Sequence, residues 1–118
     1  MSGRRVERVA AQIQHTIAEA VATKVKDSRV GFVTVTGVTV SPDFSHATVR
    51  VSVMGSDEDK QNTLTGLAST RGFLRSLLAR KLDLRTTPEL HFELDRGLEH
   101  AARIEQLLDQ IKKDEGAT

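Results

Sequence analysis

Between His46 and Met54 apolar and polar residues alternate without a break. Ala47, Val49, Val51 and Val53 fall on one side, and His46, Thr48, Arg50 and Ser52 on the other. Successive side chains of a β-strand point to opposite faces, so this stretch reads as a strand buried on one face and wet on the other. A sheet built around it can be covered by helices on one side only. The rest of the chain must supply the neighbouring strands and the covering helices.

It does so in order. Val6, Val9, Ala10, Ile13, Ile17, Ala20 and Val21 recur at helical spacing and predict a first helix to about Val25, with Ser2 as its cap and Lys24 and Lys26 at its negative end. Asp27-Ser28-Arg29-Val30-Gly31 is a turn. Val33–Val40 reads as a strand whose alternation slips at Gly37, and a bulge there is the simplest repair. Ser41-Pro42-Asp43 then turns the chain into a hairpin with the 46–54 strand. Ser56, followed by three acids, starts a second helix that runs to about Ser69. Thr70-Arg71-Gly72 interrupts it. A third helix resumes from Phe73 to about Leu82, with Phe73, Leu74, Leu77 and Leu78 on its buried arc. Thr86-Thr87-Pro88 ends it, because the residue before proline avoids the helical region. Leu90 to Leu94 alternates as a third strand, and Leu98, Ala101, Ile104, Leu108 and Ile111 mark a last amphipathic helix before a frayed tail over 114–118. The order α-β-β-α-(kink)-α-β-α predicts a two-layer α+β domain, with a three-stranded sheet covered by helices on one face and a right-handed crossover from the second strand to the third.

A chain of 118 residues suits one domain, 1–118, and leaves no room for a second. No apolar run approaches the roughly 20 residues of a membrane span, and the N-terminal arginines are followed by helical periodicity rather than by a leader. The absence of cysteine excludes disulfides, thiolate metal sites and a cysteine nucleophile, and it fits a reducing cytoplasm.

The formal charge of +1 conceals a strong asymmetry. Arg71, Arg75, Arg80, Lys81 and Arg85 face a single acid, Asp83, within their segment. Arg4, Arg5, Arg8, Lys24, Lys26 and Arg29 make the N-terminal part basic, whereas the segment from Glu89 onward is acidic. Such a distribution suits one surface facing an anionic partner, and it equally suits solvated faces. On the third helix Arg71, Arg75 and Ala79 share an exposed arc. A helix start preceded by glycine and bearing arginines four residues apart offers backbone N–H groups and two guanidinium forks to phosphate oxygens. With four Phe and no Tyr or Trp, and with Phe32, Phe73 and Phe92 expected in the core, a sheet that stacks bases on aromatics is not expected.

An enzyme has no constellation here. His15, His46, His91 and His100 show no metal-binding spacing. His46 and His91 both fall on the polar sheet face, yet two imidazoles are fewer than the three protein ligands a catalytic zinc normally needs. Neither a metal nor a cofactor is expected, and a metal-dependent enzyme at this pair stands only as an alternative.

Four segments in register carry a resemblance: Asp27-Ser28-Arg29-Val30-Gly31, Gly37-Val38-Thr39-Val40-Ser41-Pro42-Asp43, Gly72-Phe73-Leu74-Arg75-Ser76-Leu77-Leu78 and Arg85-Thr86-Thr87-Pro88-Glu89-Leu90. Together they resemble the ribosome-binding factor A family from about Arg4 to Ile111. The resemblance implies a type II KH-like domain. It also implies a cytoplasmic assembly factor, monomeric when free, that binds the immature small ribosomal subunit and assists late maturation of its ribosomal RNA, notably in the cold. KH domains clamp nucleotides with a G-x-x-G loop, and this chain has none. The family carries an Ala-x-Gly kink at that point. Gly72 matches it, Thr70 stands where alanine is usual, and Ser28 stands where proline is common.

The expected RNA-contacting set is therefore Arg71, Gly72, Arg75, Arg80, Lys81 and Arg85, with Arg4, Arg5, Arg8, Lys24, Lys26 and Arg29 as a secondary patch. Neither a membrane nor a small-molecule substrate is expected. The alternative is a protein-interaction adaptor acting through the last amphipathic helix.

Overall fold

The computed structural model describes residues 2–97 and 107–112. Helix α1 spans Ser2–Thr23, β1 Val33–Val40, β2 His46–Val53, α2 Asp57–Ser69, α3 Arg71–Lys81 and β3 Glu89–Leu94, and residues 107–112 are helical. The sheet order is β1-β2-β3, with β1 antiparallel and β3 parallel to the central β2. A parallel return needs a crossover, and α2 with α3 supplies it.

The alternation in β2 is fully realised, with Ala47, Val49, Val51 and Val53 buried and the residues between them facing out. The β1–β2 register shifts between Val35 and Gly37, so the bulge falls where the alternation slips. Val9, Ile13, Ile17, Ala20 and Val21 form the buried stripe of α1, and Leu74, Leu77 and Leu78 that of α3. These residues, with Leu67 and Leu90, enclose the inner strand face in one core.

Helix α2 begins with a reciprocal capping box. The Ser56 hydroxyl accepts from the Asp59 N–H at 3.1 Å, and the Asp59 carboxylate accepts from the Ser56 N–H at 2.9 Å. The loop after α1 lies close along α2. Thr63 Oγ1 donates to the Arg29 carbonyl at 3.3 Å. A Cβ built on Gly66 would stand 2.8 Å from Val30 Cγ2, so Gly66 is what admits the loop there.

Some boundaries and burials differ from expectation. Helix α1 begins at Ser2 rather than after it and closes at Thr23, so Lys24 and Lys26 follow its last turn. Only Thr70 separates α2 from α3, and Arg71 and Gly72 already belong to α3. Phe32 is 86% exposed, because it precedes β1 at the open end of the hairpin, where Met54 N–H reaches its carbonyl. Phe73 is 46% exposed, since it sits at the flank of the Leu74–Leu77–Leu78 stripe instead of within it. Of the three, only Phe92 packs against the core. In the predicted last helix, Leu98, Ala101 and Ile104 lie outside the described residues, as does the 114–118 tail, whereas Leu108 and Ile111 are helical and exposed.

Candidate nucleic-acid interface

The junction between α2 and α3 is a single residue. Thr70 has φ −96° and ψ 3°, and both its N–H and its hydroxyl donate back to the Leu67 carbonyl, at 3.0 and 2.7 Å. Its hydroxyl therefore completes the end of α2 and does not cap α3. The first intrahelical bond of α3 runs from Leu74 N–H to the Thr70 carbonyl. The N–H groups of the preceding turn are the donors that a helix start leaves unsatisfied, and they carry the positive end of the helix dipole.

Small residues follow along the outer face of α3. Gly72, Ser76 and Ala79, with Arg75 and Thr87, line one shallow groove. Gly72 has no left-handed φ, and a Cβ built on it would meet nothing within 4 Å. It is thus a helical residue beside open space, not a backbone necessity. Arg75 lies across the groove edge, its Nη2 donating to the Thr87 carbonyl at 3.1 Å, and Arg71 Nε donates to the Ala68 carbonyl at 3.2 Å. Both guanidinium groups are exposed, and each retains donors beyond the one used. Arg80 is also exposed, but it lies roughly 140° round the helix from Arg75 at about 100° per residue, so it serves the opposite flank.

The two basic segments meet at the other end of α3. Arg5, from the first turns of α1, stands 5.4 Å over the Phe44 ring and shares a pocket with Arg85, Asp43, Leu84 and Thr86. The turn that presents Phe44, at a left-handed φ of 62°, is held by Asp43. Its carboxylate accepts from the hydroxyls of Ser45 and Ser41 and from the Ser45 N–H, and these bonds bring its pKa down to about 2.

The secondary patch does not hold together as one surface. Arg4, Arg5 and Arg8 project from the start of α1, but Lys24 and Lys26 lie past its other end. At about 1.5 Å rise per residue that is roughly 30 Å away. Arg29 is bound locally: Nε and Nη2 meet Asp27 Oδ1 and Oδ2 at 2.9 and 2.6 Å, and Ser69 joins the pair. The guanidinium hydrogen bond is the main reason the Asp27 carboxyl is held far below the usual carboxylate range. Arg29 ties the 27–31 loop to the last turn of α2, and it alone of the expected set forms an ion pair among the described residues. Ala79 falls on the exposed arc read from the sequence, and Ser76, four residues on from Gly72 at helical spacing, was legible in principle. Thr87 and Phe44 were not, because nothing local places them beside Arg75 or Arg5.

No described helix is long and apolar enough to cross a membrane. Residues 5–108 match the family model for ribosome-binding factor A. The chain is 47% identical over 119 residues to a ribosome-binding factor A of Rhodopirellula baltica, covering all of this chain and 87% of the relative. The crystal structure of ribosome-binding factor A from Thermus thermophilus superposes with a TM-score of 0.70 at 27% identity, covering 78% of this chain and 97% of the other. A homology model of the Thermus thermophilus factor, fitted into a cryo-EM map of a 30S–RbfA complex, gives a TM-score of 0.60 at 30% identity, covering 73% and 90%. The two-layer fold is accordingly the KH-like one of these structures, and this chain belongs to the ribosome-binding factor A family.

Proposed function

We propose that this chain binds the small ribosomal subunit and assists late maturation of its ribosomal RNA, gripping the RNA backbone with the outer face of α3. The observation that carries this reading is the groove of Gly72, Ser76 and Ala79, flanked by Arg75 and headed by an uncapped helix start. Small side chains let a phosphodiester approach the helix closely, while the N–H groups and the Arg71 and Arg75 forks supply donors to its oxygens. Arg80, Lys81 and Arg85 extend the positive field along the segment, and Arg5 with Arg4 and Arg8 adds to it where Arg85 meets α1. Arg29, tied to Ser69 just before the start of α3, and Lys24 and Lys26, past the end of α1, add to the positive field. The relative placed in a 30S complex supports the choice of partner.

The exposed Leu107, Leu108 and Ile111 favour one second reading, a protein-binding role for that helix. Gradient sedimentation of a lysate at several salt concentrations tests both. RNA-backbone binding places the protein with small subunits at low salt and releases it steeply as salt rises. Sedimentation apart from small subunits at low salt would overturn the proposal, and salt-independent capture would move the function to the apolar helix.

A further inference from the structure

Strand β3 presents Glu89 and His91 on its outer side, two residues apart, and the parallel register sets Glu89 directly beside His46 of β2. Three side chains with metal-ligating atoms thereby converge on the sheet face opposite the helices, all three sets of atoms within 4.8 Å of one another. His46 Nδ1 is 3.0 Å from His91 Nε2 and 3.9 Å from Glu89 Oε2. With Zn–N of about 2.0–2.1 Å and Zn–O of about 2.0–2.2 Å, tetrahedral ligands stand roughly 3.3–3.5 Å apart, between the two observed separations. Small χ rotations of exposed side chains bring both to that value.

We infer that His46, Glu89 and His91 form a binding site for a divalent transition metal of the zinc class. Two imidazoles and one carboxylate are a borderline donor set that favours zinc, cobalt, nickel or copper over magnesium or calcium, which require mostly oxygen ligands. The metal replaces the proton shared between the two imidazole nitrogens and leaves a fourth position open to solvent. Its mechanical effect is to clasp β2 to β3, which pair across the whole α2–α3 crossover. A ligand that binds only the folded pairing stabilises it by mass action. Its electrostatic effect is to make a site carrying one carboxylate net positive. This site lies on the open sheet face, and the inference does not depend on the proposed RNA contacts of α3.

Titration calorimetry of the full chain with zinc chloride, after chelator treatment and dialysis, should show one zinc per chain and a melting temperature that rises with zinc. Cobalt substitution should give the intense visible bands of a four-coordinate site. His46→Ala and His91→Ala should each abolish both effects, and Glu89→Gln should weaken binding at least tenfold. His15→Ala, on the exposed face of α1, should change neither. Melts without metal check that each variant folds, and His91→Gln replaces any alanine variant that does not. The absence of zinc binding by the wild-type chain would overturn the assignment. So would undiminished binding by folded variants at His46 or His91.

Discussion

Gly72 gives the sharpest test of the α3 surface, because the structure separates its role in folding from its role in binding. It is the second residue of α3, without a left-handed φ and with nothing within 4 Å of a built Cβ. Gly72→Ala should therefore stabilise the fold by about 0.4–1 kcal/mol through the lower entropy of the unfolded chain. At an unfolding entropy of about 2.1 cal/mol/K per residue, 118 residues give about 0.25 kcal/mol/K, so the melting temperature should rise by roughly 1.5–4 °C. Gly72→Glu should fold at least as well, since a carboxylate in the first turn gains about 0.3–1 kcal/mol from the helix dipole. Binding should move the other way. A carboxylate about 4 Å from a phosphate costs about 1–4 kcal/mol as the effective dielectric falls from about 80 to 20, or about 5- to 1,000-fold in affinity. Thermal melts and small-subunit sedimentation on the same samples read both quantities. A folded Gly72→Glu protein that sediments with small subunits as the wild type does would refute passage of RNA over this helix start. A Gly72→Ala protein that melts below wild type would refute the conformational argument.

The remaining expectations concern charge, core and pH. Arg75→Glu should weaken subunit binding and flatten the log–log salt slope by about 0.7–0.9 for each phosphate that the variant leaves unneutralised, measured by sedimentation across a salt series, while the melt stays near wild type. Leu77→Ala, on the buried stripe of α3, should cost about 2–5 kcal/mol, a fall of roughly 8–20 °C by the same entropy, read by thermal denaturation. Asp27 is held well below the usual carboxylate range by Arg29, so the stability it contributes is complete above its unfolded value of 3.8 and is lost only as pH falls towards its folded value. The stability difference between wild type and Asp27→Asn should consequently stay constant from neutral pH down to about 5 and shrink only below about 4, as checked by chemical denaturation at each pH.

Periodicity along the chain determined which faces are buried and where the elements fall. The unbroken alternation of β2, the slip at Gly37 and the Ser56 cap each depend on residues within a few positions of one another, and each is realised as read. The stripes of α1 and α3 were legible for the same reason, as were the exposed Arg71 and Arg75. Tertiary structure decided whatever depends on residues brought together from distant parts of the chain. Phe32 and Phe73 are hydrophobic enough for a core, yet one lies past the covered end of the sheet and the other at the flank of its helix stripe, so both stay exposed. Arg29 has the charge of an RNA contact, but Asp27 and Ser69 hold it as a tether. Arg75 meets Thr87 where the chain leaves α3 for β3, and Arg5 meets Phe44 because α1 packs along the β1–β2 hairpin, with Arg85 brought beside them from the end of the crossover. Two histidines on one polar face were visible in the sequence. The third ligand, Glu89, was not, because β-sheet register, and not spacing along the chain, sets Glu89 beside His46.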